Sequence, residues 1–170
     1  MGFLLRVVTN PKWARPDWMS PEDVPADALT DLKADKNELS VWSVDPDGAN
    51  LDIVLTAVAS NRQSLSKVDY ALLDESDLRS IAISCIRSEG GTPYTQANAV
   101  HCDLIELTVS KVARLAHAIM PLKRVRVPEK RIKVLLQDAL ADGMLDRGRM
   151  NSKFLSELEP SAPRGQPIQG

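Results

Sequence analysis

Between Leu39 and Ile119 the apolar positions switch repeatedly between period 2 and period 3.6. That switching predicts strands alternating with helices, hence an α/β unit on a small sheet. Leu39, Val41 and Val44 around Trp42 predict a strand, and Asp45-Pro46-Asp47-Gly48 predicts the turn after it. Asn50 caps a predicted helix to about Arg62, with Leu51, Val54, Leu55 and Val58 on one face. Val68 to Leu73 is apolar on both faces, as in a central strand. Strand, helix and strand of these lengths predict a right-handed parallel crossover.

Asp74-Glu75-Ser76-Asp77 can cap one helical turn around Leu78, and Ile81 to Ile86 predicts a further strand. Gly90-Gly91-Thr92-Pro93 then breaks the chain before the longest predicted helix, Gln96 to Met120. On that helix Ile105, Val109, Val112, Ala116 and Ile119 form an apolar stripe. Asp103, Glu106, Ser110, Arg114 and His117 oppose it.

The flanks are different in kind. Phe3 to Val8 reads as an additional strand. Pro11, Pro16, Pro21 and Pro25 then keep the chain irregular around Trp13 and Trp18, before a short helix over Ala26 to Ala34. On the other side Arg124 and Arg126 alternate with Val125 and Val127 in a short strand. Pro128 opens a last helix with Ile132, Leu135, Leu136, Ala139 and Leu140 as its stripe and Gly143 as its stop. From Met150 the composition predicts a mobile tail on which Phe154, Leu155 and Leu158 can dock.

The expected organisation is an arm over 1–38, an α/β core over 39–120, a basic segment and amphipathic helix over 121–149, and a tail over 150–170. The expected fold class is α/β, with α+β as the alternative. Its small mixed sheet has three to four strands, with two main helices packed on it and a C-terminal amphipathic helix.

Composition refines this picture in three ways. At 44% hydrophobic residues but only two Phe, two Tyr and three Trp in 170, the core must be aliphatic. The formal net charge is only −2, which argues against a surface built throughout for nucleic acid. That charge is polarised, however: Asp17 to Asp47 holds nine acidic residues against two lysines, whereas Lys123 to Lys133 holds six cations against Glu129.

Cys85 and Cys102 sit in apolar stretches and form no disulfide framework, so a reducing compartment is expected. Phe3-Leu4-Leu5 gives way to Arg6 too soon for a secretory signal, and no apolar run nears the ~20 residues of a membrane span. The expectation is a soluble, cytoplasmic protein with no membrane partner. Two histidines sixteen positions apart and two cysteines match no zinc-ligand spacing, so no metal or cofactor is expected.

Two places could carry function. Gly90, Gly91, Thr92, Asn98 and His101 lie where a strand meets the long predicted helix, a place where α/β folds bind ligands. The sequence matches neither the dinucleotide nor the P-loop pattern, so a turn and a cap is the plainer expectation there. Arg124, Arg126, Lys130, Arg131 and Lys133 concentrate charge as phosphate contacts require, without interleaved aromatics for base stacking. A solvated face, or a clamp on the acidic N-terminal region, is the plainer expectation for them.

A thiol mechanism through His101 and Cys102 is disfavoured, because neighbours on a helix point about 100° apart. Trp13, Trp18 and Trp42 read as core anchors or as an exposed hot spot. The function expected from these features is non-catalytic: an interaction or adaptor protein acting through its oppositely charged N- and C-terminal regions, with a protein partner or self-association. The alternatives are a small-ligand or nucleotide-binding enzyme at the Gly90–His101 junction, and a nucleic-acid-binding module at the basic segment.

Overall fold

The computed structural model describes residues 2–158. Strands β1 (Phe3–Val8), β2 (Leu39–Val44), β3 (Val68–Asp74), β4 (Ser84–Arg87), β5 (His101–Ile105) and β6 (Val125–Val127) form one sheet. Its order is β4-β5-β2-β1-β3-β6, and every neighbouring pair is antiparallel. The sheet is therefore larger than the three to four strands expected, and antiparallel rather than mixed.

The strand expected in the N-terminal arm is central to the sheet. β1 lies between β2 and β3, which run parallel to one another on either side of it. Its composition explains the position. Leu4 and Val8 alternate with Leu5 and Val7, so both faces are apolar, and a strand of that kind needs cover on both sides.

Helices supply that cover. On one face α2 (Leu51–Ser60), α5 (Glu129–Ala141) and α6 (Ser152–Leu158) bury Val54, Leu55, Ile132, Leu136, Phe154 and Leu158 against Leu5, Trp42, Val44 and Tyr70. On the other, α1 (Ala26–Asp31), α3 (Glu75–Ser80) and α4 (Val109–Ile119) pack Ala28, Leu78, Leu115 and Ile119 on Leu4, Val41, Leu73 and Leu104. Trp13 joins this second layer and Trp42 the first, while Trp18 stands 81% exposed on the arm.

Residues 96–120 do not form one helix. A 3₁₀ turn over Thr95–Val100 leads into β5, Glu106 takes a left-handed conformation (φ 55°), and α4 starts after Thr108. The Thr108 hydroxyl caps α4 by accepting the Lys111 N–H at 3.3 Å. The reason lies in His101 to Ile105, where buried Cys102 and Leu104 alternate with more exposed neighbours. That period-2 run interrupts the helical stripe assigned through Ile105.

Smaller differences have local causes. β4 starts at Ser84 rather than Ile81, because Ala82 is left-handed (φ 55°) and the Ile83 N–H closes onto the Leu78 carbonyl. Phe154 and Leu158 dock as α6, and the rest of the predicted tail, residues 159–170, lies outside the described residues. Among the described residues no helix is long and apolar enough to cross a membrane.

Candidate functional site

The Gly90–His101 junction is largely filled. The Asn98 side chain closes the loop on itself: its Oδ1 accepts from the Thr92 N–H (3.2 Å) and hydroxyl (2.8 Å), and its Nδ2 donates to the Thr92 carbonyl (3.2 Å). The Gly90 N–H donates to the Asn98 carbonyl. A Cβ at Gly90 would meet Asn98 Oδ1 at 2.6 Å, so glycine is there for close packing. Gly90, Thr92 and Asn98 thus hold the loop's shape by contacting one another. The loop is also tied to the C-terminal segment, where Arg149 donates to the Gly91 carbonyl at 2.7 Å.

His101 has a different neighbourhood from the one expected. It sits on β5, and its ring meets Trp42 edge-on with centroids 4.8 Å apart, while Nδ1 lies 2.8 Å from the Ser88 hydroxyl. Cys102, the next residue on the strand, faces the opposite layer. Cys102 neighbours Cys85 across the β4–β5 ladder instead. Partial burial of its sulfur and the adjacent Cys102 push the Cys85 thiol up to about 12, so neither cysteine is a poised nucleophile.

Beside this junction the sheet itself opens. Registered pairing of β1 with β2 ends at Leu5 and Trp42. Beyond it β1 pairs only with β3, and β2 only with β5. Gly91, Thr92 and His101 border a cavity of about 320 Å3 at this parting, together with Arg6 and Ser40. The Arg6 guanidinium bridges the gap, donating to the Ser40 carbonyl at 2.9 Å and to the Asp31 carbonyl at 3.1 Å.

The basic segment is partly neutralised from within. Arg126 forms a two-point pair with buried Asp69 on β3 (2.8 and 3.0 Å), and Arg131 reaches Asp52 on α2 at 2.6 Å. Arg124 donates to the Met120 carbonyl at 3.1 Å. These carboxylates lie outside the acidic stretch 17–47, so the clamp on the N-terminal region is not the one formed. Among the described residues Lys123, Lys130 and Lys133 make no hydrogen bond or ion pair.

The Arg126–Asp69 pair carries a pH signature. Hydrogen bonding to Arg126 holds the Asp69 carboxyl below the usual aspartate range. A carboxylate depressed in the folded state stabilises the fold above its unfolded pKa of ~3.9, and that contribution disappears as pH falls through the lower folded value. Arg126→Met is therefore expected to lower the urea midpoint at neutral pH, with the gap from wild type closing in acid, once the pH is below the depressed folded-state value and Asp69 is protonated in both. A gap of equal size at neutral and at acid pH would show that the pair does not stabilise the fold through its charge.

At the other margin of the sheet β4 is open. All four of its residues are exposed, with Ile86 at 47%, and among the described residues β5 is its one neighbour in the sheet. The Ser88 N–H donates to the His101 carbonyl, so by antiparallel alternation Ile86 and Ser84 also bond toward β5. The N–H and C=O groups of Cys85 and Arg87 consequently point outward. A cavity of about 480 Å3 lies against this margin, lined by Leu78, Ile83, Cys85 and Cys102 with Glu75 and Arg79 of α3.

Sequence reading missed both Arg6 and the β4 margin. Arg6 had a signal: a lone cation at an alternating position of an otherwise apolar strand must find a polar setting inside the fold. The β4 margin had none, since strand order is not written in one strand's residues. Compared with known protein families, curated proteins and solved structures, the chain matches none.

Proposed function

We propose that this protein is a protein-interaction module that takes up an extended segment of another protein along β4. The supporting observation is the pair of outward-facing residues, Cys85 and Arg87, whose backbone groups offer two donors and two acceptors to an added strand. The neighbouring 480 Å3 cavity would receive every second side chain of that strand, so backbone bonding would supply affinity and the cavity selectivity.

The two margins of the sheet differ in the way this reading requires. β6 is three residues long, carries Arg126 and is followed by Pro128, features that blunt an edge against pairing. β4 has no proline beside it, and its one charged residue, Arg87, folds its guanidinium back onto the Ala99 carbonyl at 2.7 Å. The docking surface proposed is thus the open strand rather than the charged termini. Arg126 and Arg131 already have carboxylate partners of their own.

The test is a selection of random twelve-residue peptides on phage against the full chain, followed by fluorescence anisotropy of synthetic binders. Cys85→Pro removes an outward N–H without touching a bond to β5, so it spares the fold and blocks pairing. Expected are binders with period-2 side-chain patterns whose affinity falls at least about tenfold on Cys85→Pro, the order of a lost backbone hydrogen bond plus an unpaired partner group. Binders that tolerate Cys85→Pro but lose affinity on Lys130→Glu with Lys133→Glu would overturn the reading in favour of the basic segment. A selection that yields no binder would also refute it.

A further inference from the structure

We propose that the parting between β1 and β2 is a binding site for a small organic carboxylate, received by the guanidinium of Arg6. The first observation is the state of that cation. Of the five N–H donors of an arginine, two bond to carbonyl oxygens of Ser40 and Asp31, and Nε is buried with no acceptor. Both acceptors are neutral carbonyls, and among the described residues no carboxylate lies within ion-pair distance of the charge.

The nearest candidate counter-ion is engaged elsewhere. The Asp31 carboxylate accepts the Thr9 N–H at 2.6 Å and the Trp13 indole N–H at 2.7 Å, and only its main-chain oxygen meets Arg6. Burial lowers the Arg6 pKa, and the attraction of Asp31 offsets this only in part. A half-buried cation with no carboxylate in contact favours an anion that can reach it.

The second observation is the space. The cavity of about 320 Å3 is bounded by Arg6 at the parting, by Val7, Trp42 and Val58 on its apolar side, and by Ser40, Asn61, Thr92 and His101 on its polar side. The edge-on contact with Trp42 and the Ser88 hydrogen bond fix the His101 ring. A concave site that sets an apolar side against converging polar groups can hold a small ligand, and this volume is at the small end of the ~300–1,000 Å3 such sites span. The planar fork of an arginine matches a carboxylate in two-point geometry. These features together select a monocarboxylate with a short aromatic or branched aliphatic body.

The experiment uses the full chain with benzoate and isovalerate as probes and benzamide as the uncharged match for benzoate, followed by calorimetry and tryptophan fluorescence. At least one acid is expected to saturate, and benzamide to bind at least about tenfold more weakly than benzoate, the worth of one charge-assisted hydrogen bond. Arg6→Gln should abolish acid binding. Because that variant removes a bridge between strands and can fail to fold, Val58→Phe provides the second arm: it fills the cavity, leaves the charge in place and should also abolish binding. Equal affinity for benzoate and benzamide would overturn the proposal, as would tighter binding of inorganic phosphate, or no saturation by either acid at about 10 mM. Acid binding that survives Val58→Phe would place the ligand elsewhere and refute the site.

Discussion

Trp13→Ala is expected to lower folding stability by ~3–5 kcal/mol, the range for removing a fully buried large aromatic. Trp13 has no exposed surface and belongs to the layer formed by Leu4, Val8, Ala28 and Leu32. Its indole N–H donates to the Asp31 carboxylate at 2.7 Å, an oxygen that also accepts the Thr9 N–H. The side chain thereby ties the irregular arm to β1 and α1 at once. Against a typical total of ~5–15 kcal/mol the loss would be large.

Trp13→Phe separates the contributions. It keeps most of the apolar contact and loses the hydrogen bond to a charged group, an effect of ~1.5–3 kcal/mol. Trp18→Ala should stay within ~0.5 kcal/mol, since that side chain is 81% exposed. Urea unfolding followed by circular dichroism reads all three. If Trp13→Ala costs no more than Trp18→Ala, the arm lies outside the cooperative unit.

The second large effect belongs to Asn98. Asn98→Ala removes three side-chain hydrogen bonds to Thr92 and leaves buried polar groups of that residue unmatched. The expected loss is ~2–3 kcal/mol, because an unsatisfied buried group costs more than a hydrogen bond contributes on average. Gly90→Ala should destabilise as well. The added Cβ meets Asn98 Oδ1 at 2.6 Å and its Cα at 3.0 Å, so combining the two substitutions relieves only part of the clash. The check is a double-mutant cycle by urea unfolding. Additive losses would mean that the two residues do not act on a common loop geometry.

These two residues also show where sequence reading succeeds and where it stops. Proline density and buried tryptophan marked the arm as irregular but pinned, and Trp13 is pinned. Asn98 and Thr92 were placed in one candidate ligand site with His101, and in the fold they bond to each other. That they bond to each other was not legible, because whether a polar pair faces a ligand or itself depends on loop closure, which spacing does not encode.

His101 shows the sharper failure. An apolar residue every three or four positions from Ile105 onward imposed a helical wheel that also took in His101 to Ile105, which alternate as a strand. Helical and strand periodicities both fit short apolar runs, and pairing of β5 with β2 and β4 decides between them. Arg126 and Arg131 were legible as cations on the polar sides of a strand and a helix. Their partners Asp69 and Asp52 were not, since they come from elements that only tertiary packing brings near.

The place of β1 has a consequence for how the molecule assembles. Every backbone hydrogen bond that joins β4-β5-β2 to β3-β6 passes through Phe3–Val8. Neither half of the sheet can close on the other by local hairpins. Both must wait for a single strand whose partners are far away in sequence, so loop-closure entropy is lost before the central contacts form. Insertion of this one six-residue strand is accordingly the step expected to be slow in folding.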